Sequence, residues 1–282
     1  MKKFLTLLLT ALLAVTCCFG LTACGEKDSK AVLVEDFVLA QEEYGIAAKK
    51  GNDALIGKIN EALIALADTD YVDVAKDFGL ESELLVTSST TNPKADATDS
   101  SWNDVVASKK LILGYTLFAP IAYKNNSGSL TGFDIELAKK VVAYLNAKYE
   151  TEIELVPLVI EWASKEANLE DGTIDLVWNG MTINEERLAG MSISIPYLKN
   201  QQVAVIREAD KDIYTDADSM KNAIMGAEKG SAGESAIKDN NLGKSYTSFT
   251  SQLDAYNQLK AGTVDVVVID SVMAGYYISL DK

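Results

Sequence analysis

Short apolar runs alternate with amphipathic stretches from residue 109 onward. The apolar runs are rich in branched side chains, and such runs between helical patterns are typical of an α/β fold with a largely parallel sheet. The predicted strands comprise residues 111–115, 153–158, 174–178, 203–206, 224–227 and 264–269. Residues 132–150 and 251–261 repeat apolar side chains every three or four positions, which predicts two helices with one buried face each.

The chain before residue 87 has its own pattern. Residues 32–34 and 44–48 are predicted as strands, and residues 53–67 as a helix with one apolar stripe. Residues 87–101 are rich in Ser, Thr, Asn and Asp and contain almost no apolar side chain. This composition predicts a linker or a long surface loop.

The N-terminal residues are predicted to direct export. A short basic start precedes a nearly continuous apolar run over residues 4–20, which is the pattern of a secretion signal. Small residues then precede Cys24, and this pattern resembles the processing site of bacterial lipoproteins. We therefore expect residues 1–23 to be a signal peptide, Cys24 to carry a lipid, and residues 24–30 to form a tether. The alternative is an uncleaved anchor, because about 20 apolar residues can span a bilayer.

Charge and composition exclude several classes of partner and of enzyme mechanism. With the 23 signal residues and their two lysines removed from the 282-residue chain, 259 residues remain, with 24 basic and 41 acidic side chains and a net charge of −17. Such a charge argues against a nucleic-acid partner and against binding to an anionic lipid surface. The chain has no histidine, and its other two cysteines lie within the signal. The sequence therefore predicts no disulfide, no metal and no cofactor, and most hydrolase mechanisms lose their usual base.

Four blocks of sequence carry a family resemblance. They read GYTLFAPIAYKNNSGSLTGFDIELA (residues 114–138), IEWASKEANLEDGTIDLVWNGMTINEER (160–187), EKGSAGESA (228–236) and VVVIDSVMAGYY (266–277). In this order they resemble the type II periplasmic amino-acid-binding proteins of the polar amino acid uptake family. The resemblance covers nearly all of residues 109–282.

The resemblance implies a fold and a function. The fold is α/β with two lobes, each a mostly parallel sheet flanked by helices, and two hinge strands connect the lobes. The function is that of a monomeric, extracytoplasmic substrate-binding protein, which captures a free polar or cationic amino acid by hinge closure. Its partner would be the membrane permease of an ABC transporter, and the lipid on Cys24 would hold it at the cell membrane.

The order of the segments departs from the family. Residues 32–79 resemble the C-terminal end of the family but come first here, so the chain resembles a circular permutation in which residues 87–108 join the usual termini. The expected divisions of the chain are lobe 1 at residues 51–86 and 109–202, lobe 2 at 31–44 and 207–282, and hinge strands at 43–50 and 201–207. A natural permutation, an engineered one and a truncated tandem duplication would all give this order.

The resemblance also implies a ligand site. Arg187, with Thr182, matches the group that binds the ligand carboxylate, since a guanidinium can pair with two oxygens. Asp270 and the Gly180 carbonyl match the acceptors of the ligand ammonium, and Asn179 is expected beside them. Simpler interpretations are an ion pair of Arg187 with a neighbouring glutamate, a helix N-cap for Asp270 and a turn for Gly180.

The resemblance also implies contacts to the rest of the ligand. Phe118 and Trp162 match the aromatic residues that flank the ligand side chain, although either could be plain core. The loop 230–233, with Ser231 and Ala232, matches a helix N-terminus whose N–H groups face the ligand carboxylate.

Two acids and one tyrosine bear on which ligand side chain the site would prefer. Glu228 and Glu161 favour a cationic ligand side chain, while Tyr115, where many relatives carry an aspartate, removes one acid from the site. A sensor module, an engineered sensor scaffold, and an enzyme resembling cyclohexadienyl dehydratase that uses one of these glutamates as acid or base are the alternative functions.

Overall fold

The computed structural model describes residues 29–281. Its centre is an antiparallel pair of long strands, β1 (Ala31–Lys49) and β8 (Leu198–Arg207), which hydrogen-bond from Ala31 opposite Arg207 to Tyr44 opposite Leu198. The predicted signal, the lipidation site Cys24 and the tether up to residue 28 lie outside the described residues.

Three parallel strands extend the sheet on each side of this pair. On one side lie β2 (Lys110–Tyr115), β5 (Glu154–Val159) and β6 (Leu176–Thr182), and on the other lie β9 (Ile224–Glu228), β10 (Ser245–Phe249) and β11 (Val266–Asp270). The order across the sheet is β10-β9-β11-β8-β1-β6-β2-β5, and β7 (Met191–Ile193) also pairs with β1. We call the half with β2, β5 and β6 lobe 1, and the half with β9, β10 and β11 lobe 2.

Helices cover the strands of both lobes. Those of lobe 1 are α1 (Asp53–Ala65), α2 (Asp70–Phe78), α3 (Ser101–Ser108), α4 (Phe133–Tyr149), α5 (Lys165–Glu170) and α6 (Glu185–Gly190). Those of lobe 2 are α7 (Ala217–Met220), α8 (Ala232–Asp239), α9 (Gln252–Lys260) and α10 (Ser271–Leu280). A small hairpin of β3 (Tyr123–Lys124) and β4 (Leu130–Thr131) precedes α4. Within the described part of the chain, no helix is both long enough and apolar enough to cross a membrane.

Strand β11 shows why its sequence forms a buried strand. Its four aliphatic residues are almost fully buried, and they alternate between two apolar clusters. Val266 and Val268 pack in the cluster that contains Ile237 of α8, and Val267 and Ile269 in the cluster that contains Leu259 of α9. Burying each side chain contributes about 1.5–3 kcal/mol. The continuous apolar run is therefore what a strand covered on both faces requires.

A buried carboxyl in lobe 1 holds the end of strand β6 in place. Asp134, in the first turn of α4, accepts a hydrogen bond from the Gly180 N–H at 2.8 Å and from the Tyr197 hydroxyl at 2.8 Å through the same oxygen. Burial raises the pKa of Asp134 to about 7, and the hydrogen bonds oppose that rise. The end of β6 is thereby tied to the helix layer.

The loop between α2 and α3 is pinned rather than free. The Asn92 amide donates to the Gly57 carbonyl at 2.8 Å, and Asp99 accepts from the Ala54 N–H at 2.7 Å, so the loop lies along α1. A side-chain carbon at Gly57 would lie 2.3 Å from the Lys94 carbonyl oxygen, which explains glycine at this helical position. Residues 87–100 thus form a surface loop that contacts α1, whereas residues 101–108, expected to belong to the linker, form α3.

The structure has a strand at each of the six strand positions predicted after residue 109 and a helix at both predicted helix positions. The two short strands predicted at 32–34 and 44–48 are the ends of the single strand β1. The largely parallel sheet is confirmed within each lobe, but the pairing through β1 and β8 is antiparallel. The pattern did not predict β10, whose residues are half-exposed and polar.

Candidate functional site

A narrow cavity of about 10 Å³ lies between the lobes, at the carboxyl ends of their parallel strands. Ligands of open α/β sheets bind at this edge. Twelve residues line the cavity: Thr116, Phe118, Trp162, Asn179, Gly180, Thr182, Arg187, Glu228, Ser231, Ala232, Gln252 and Asp270. All ten predicted ligand contacts are among them, and the two that were not predicted are Thr116 and Gln252.

Arg187 lies on α6, a helix capped by Asn184, whose side-chain oxygen accepts the Arg187 N–H at 2.8 Å. Its guanidinium is buried and donates to the Thr182 carbonyl at 2.6 Å and, across the cleft, to the Gly230 carbonyl at 3.3 Å. The guanidinium carbon lies 5.9 Å from the centre of the Trp162 ring. Arg187 is therefore oriented by two carbonyls and not by a surface ion pair. Burial lowers the pKa of its guanidinium.

Asp270 ends β11 and precedes α10, so it reaches the cavity from lobe 2. It is buried, and it makes no side-chain cap hydrogen bond to α10. Its carboxylate accepts from the Tyr44 hydroxyl at 2.8 Å, from the Gln202 amide at 2.8 Å and from the amides of Asn200 and Gln252. The Gln252 oxygen in turn accepts the Asp270 N–H at 2.9 Å.

Burial raises the pKa of Asp270 to about 7, and the nearby charge of Glu42 adds to the rise. Glu42 lies on β1 and its own pKa is raised by burial. Its Oε2 accepts three hydrogen bonds, from Gln202 at 2.9 Å and from Asn200 and Thr182 at 3.1 Å each. The Thr182 hydroxyl, expected to donate to a ligand, therefore donates to Glu42.

Glu228 ends β9 beside Asp270 and is 4% exposed. Its Oε1 has no hydrogen-bond partner, which is costly for a buried carboxyl. Burial raises the pKa of Glu228 to about 8, with Asp270 adding to the rise and Lys165 opposing it. A cation in the cavity would remove this cost.

Aromatic rings form the apolar walls. Phe118 and Trp162 line the cavity and also pack in the lobe 1 clusters, so both interpretations of these residues hold. Gly180 has a φ of +61°, and a side-chain carbon there would lie 2.7 Å from the Phe118 ring. Glycine is therefore required on both conformational and steric grounds.

The loop before α8 closes the cavity from lobe 2. The Ser231 hydroxyl caps α8 by accepting the Glu234 N–H at 3.1 Å, and the Gly230 N–H donates to Glu234 at 2.6 Å. The Gly230 carbonyl also accepts from Lys165 of lobe 1 at 3.3 Å. Lys165 is buried, which lowers its pKa, and its ammonium lies 4.8 Å from the centre of the Trp162 ring.

Two residues discussed for selectivity lie elsewhere. Glu161 is exposed and does not line the cavity, although the next residue, Trp162, does. Tyr115 packs in the lobe 1 core. The Asn179 amide hydrogen-bonds the Thr116 hydroxyl at 2.8 Å on the cavity wall. Among residues 29–281, no three His, Cys, Asp or Glu side chains lie close enough together to hold a metal ion.

Comparison with known proteins identifies the family. Residues 111–261, more than half of the chain, match the model of the bacterial extracellular solute-binding proteins, family 3. The chain belongs to this family.

Individual family 3 relatives are distant. The L-cystine-binding protein TcyJ of Escherichia coli K12 is 26% identical over 182 residues, which cover 64% of this chain and 66% of TcyJ. The ABC transporter arginine-binding protein 1 of the same strain is 26% identical over 61% of this chain and 68% of its own length. The chain thus spans about two thirds of these curated relatives.

A solved structure agrees with the fold. The substrate-binding protein of an ABC uptake transporter from Streptococcus pneumoniae, with bound histidine, superposes with a TM-score of 0.58 at 30% identity. The match covers 64% of this chain and 74% of that one. The two-lobed α/β architecture is therefore that of the family 3 solute-binding proteins.

The buried carboxyls of this solute-binding protein predict a pH dependence of stability. The pKa values of Asp134 and Asp270 are raised from 3.8 to about 7, and that of Glu228 from 4.5 to about 8. Groups with raised pKa values hold protons more tightly in the folded state, so their contribution is full at acid pH and is lost as the pH rises through 7–8. We expect the melting temperature without ligand to fall between pH 5 and pH 8.5.

Scanning calorimetry of wild type, Glu228→Gln and the exposed control Glu161→Gln would measure this effect. Glu228→Gln should flatten the fall between pH 6.5 and pH 8.5, by about 1.4 kcal/mol per pH unit at most for a single proton, whereas Glu161→Gln should follow wild type. A wild-type melting temperature that is constant or rises over this range would contradict the assignment.

Proposed function

We propose that this protein captures a free polar or cationic L-amino acid between its lobes and delivers it to the membrane permease of an ABC transporter. One observation carries the proposal. Arg187 from lobe 1 and Asp270 from lobe 2 are both buried in one cavity, and neither is hydrogen-bonded to the other. A free amino acid has a carboxylate for the guanidinium and an ammonium for the aspartate, so it satisfies both lobes at once.

Closure is the proposed mechanism. The two lobes are joined through β1 and β8, and a ligand held by Arg187 gains the contacts of Asp270 and loop 230–233 only when lobe 2 approaches. The ligand thereby stabilises the closed state by its differential affinity for it. The permease would recognise this closed, ligand-bound state.

A thermal-shift panel tests capture. Protein from residue 25 onward, which lacks the proposed lipidation site, is screened against the twenty amino acids with ornithine and cystine. A ligand that binds only the folded form must raise the melting temperature. Arg187→Ala should weaken binding of every responding amino acid by at least about 100-fold, because it removes charge-assisted hydrogen bonds to the carboxylate.

Arg207, the only other arginine of the chain, is the matched control. It is ion-paired with Asp210 and Asp265, away from the cavity residues. Arg207→Ala should lower the melting temperature without ligand but leave amino-acid affinity within about threefold in calorimetric titrations. A folded wild-type protein that responds to no amino acid would overturn the proposed function.

Glu228 supports a cationic ligand side chain. Its Oε1 is buried without a partner, and the aromatic ring of Trp162 lines the same cavity and favours cations over its face. We propose that Glu228 pairs with the distal cation of a ligand such as arginine, lysine or histidine. Among the relatives, the arginine-binding protein 1 of E. coli is named for such a ligand.

Glu228→Gln isolates this selectivity. Because the carboxylate is lost but the shape is kept, affinity for arginine relative to its neutral analogue citrulline should fall by about tenfold or more. Calorimetric titration of both ligands into wild type, Glu228→Gln and the exposed control Glu161→Gln gives the ratio. An unchanged ratio in Glu228→Gln would remove Glu228 from selectivity while leaving capture intact.

We propose that the segment order is a circular permutation. The family match begins at residue 111, yet β1 is the central strand that joins both lobes, and α1 and α2 cover lobe 1. The two ends of the described chain also lie close together, because the Ser29 hydroxyl donates to the Lys260 carbonyl at 2.7 Å and the Lys260 ammonium donates to Asp281 at 2.8 Å. A rearranged chain, in which residues 29–86 follow residue 281 through a short glycine linker, should therefore be possible.

The rearranged chain should keep the melting temperature within a few degrees, and its ligand affinity should stay within about threefold, because every described contact is retained. Circular dichroism, thermal melting and calorimetric titration measure these quantities. A rearranged chain that folds but fails to bind the wild-type ligand would contradict the permutation.

We further propose that the protein acts outside the cytoplasm as a monomer, held at the membrane by a lipid on Cys24. The small residues before Cys24 and the apolar run before them support this location. Incorporation of an alkyne-labelled fatty acid into wild type and its loss in Cys24→Ala would test the anchor.

A further inference from the structure

Glu42 on the hinge strand β1 was not among the predicted ligand contacts, yet it connects both lobes at the cleft floor. Its Oε2 accepts hydrogen bonds from Thr182 of lobe 1 and from Asn200 and Gln202 of β8. The same two amides also donate to Asp270 Oδ1 of lobe 2. Two carboxylates thus share two donors.

The sharing follows from strand geometry. Glu42 lies opposite Asn200 in the β1–β8 pairing, and Asn200 and Gln202 are two residues apart, so their side chains point to the same face. The carboxylates of Glu42 and Asp270 are therefore separated by a single amide nitrogen at each of these two side chains. Two like charges at this separation favour a cation beside them and disfavour simultaneous ionisation without one.

The bond from Thr182 has a consequence for the ligand. A hydroxyl has one proton and two lone pairs, and Thr182 directs its proton to Glu42 at 3.1 Å. The lone pairs of Thr182, which lines the cavity, are then free to accept. An ammonium has three N–H donors, so this acceptor complements the Asp270 carboxylate and the Gly180 carbonyl.

We propose that Glu42 is a positioning residue of the ammonium subsite, which holds the Thr182 hydroxyl as an acceptor and places a second negative charge behind Asp270. This inference rests on the proposed capture of an amino acid. It assigns the hinge strand a part in recognising the ligand ammonium.

The charged and titratable groups around the pair set its response to pH. Tyr44 faces Asp270 from β1, Glu228 faces it from β9, and Arg187 acts on Glu42 and Asp270 from α6. Among the charged groups around Asp270, Glu42 contributes most to raising the pKa of Asp270. Ammonium binding needs the Asp270 carboxylate and is lost as the pH falls through its pKa. Removal of Glu42 should therefore move this loss to lower pH.

The experiment compares wild type, Glu42→Gln and Glu43→Gln, whose exposed side chain on the same strand makes it the matched control. The probes are two pairs of molecules that differ only in the α-ammonium: L-arginine with 5-guanidinopentanoate, and L-glutamine with 5-amino-5-oxopentanoate. Calorimetric titrations run from pH 5 to pH 8.5.

At pH 8, Glu42→Gln should bind the amino acid of the responding pair about tenfold more weakly, while affinity for the deaminated partner changes by less than about twofold. The acid midpoint of amino-acid affinity should fall by at least about half a pH unit. Glu43→Gln should match wild type in both.

Three results would overturn the inference. Equal weakening of both members of a pair in Glu42→Gln would show general damage to the cleft. An unchanged ratio with an unchanged midpoint would show that Glu42 has no part in the subsite. If wild type binds neither arginine nor glutamine, the responding amino acid of the thermal-shift panel and its deaminated analogue replace them. A folded wild type that binds no amino acid of that panel would contradict the proposed function, and the inference with it.

Discussion

The antiparallel pairing of β1 with β8 is the interaction on which both lobes depend. Its register runs from Ala31 opposite Arg207 to Tyr44 opposite Leu198, and β1 then continues along β6 and β7 of lobe 1. Lobe 2 is attached to the same pair through β8 and β11. Because this ribbon passes beneath the cavity, its polar side chains can contact residues of both lobes. The element that connects the lobes therefore also forms the floor between them.

Buried charge is the second constraint. Arg187, Asp270, Glu228 and Lys165 are all buried around one small cavity, and the hydrogen bonds that orient them come mainly from carbonyls, amides and a hydroxyl. Such an arrangement is costly for an unfilled site, because desolvated charges need opposite charges close by. A zwitterion supplies both signs in a fixed geometry. In the proposed function, the free energy that disfavours the unfilled site would then be recovered when the amino acid binds.

Much of this site could be predicted from the sequence, because its residues lie next to strand ends that hydrophobic patterning locates. Asp270 follows four aliphatic residues, and Trp162 follows the apolar strand β5. Arg187 alone has no local signal, since Glu185 and Glu186 beside it suggest a surface ion pair, and only the resemblance of the whole block pointed to the cleft.

The position of Glu42, Asn200 and Gln202 beside the site could not be predicted in the same way. The segments around Glu42 and around Asn200 and Gln202 consist of consecutive polar residues, which are typical of exposed strands. Two acidic residues at 35–36 and the polar run at 41–43 divided β1 into two short predicted strands. Asn200 and Gln202 become buried, and Glu42 half-buried, only when two sequence-distant strands pair beneath the cavity, and local patterning does not contain that information.

Closure itself depends on charge as much as on shape. Across the cleft, the Gly230 carbonyl of lobe 2 accepts from both Arg187 and Lys165 of lobe 1, each at 3.3 Å. Lys165 is also ion-paired with Glu166 at 3.0 Å, whereas the hydrogen bonds of the buried Arg187 go to the Thr182 and Gly230 carbonyls. Neutral carbonyl oxygens compensate the charge of Arg187 poorly, because they carry no net charge. Closure without a ligand is therefore disfavoured at this contact. In the proposed function, a ligand carboxylate at Arg187 would supply the missing negative charge, so the contact between the lobes would become favourable when the ligand is present.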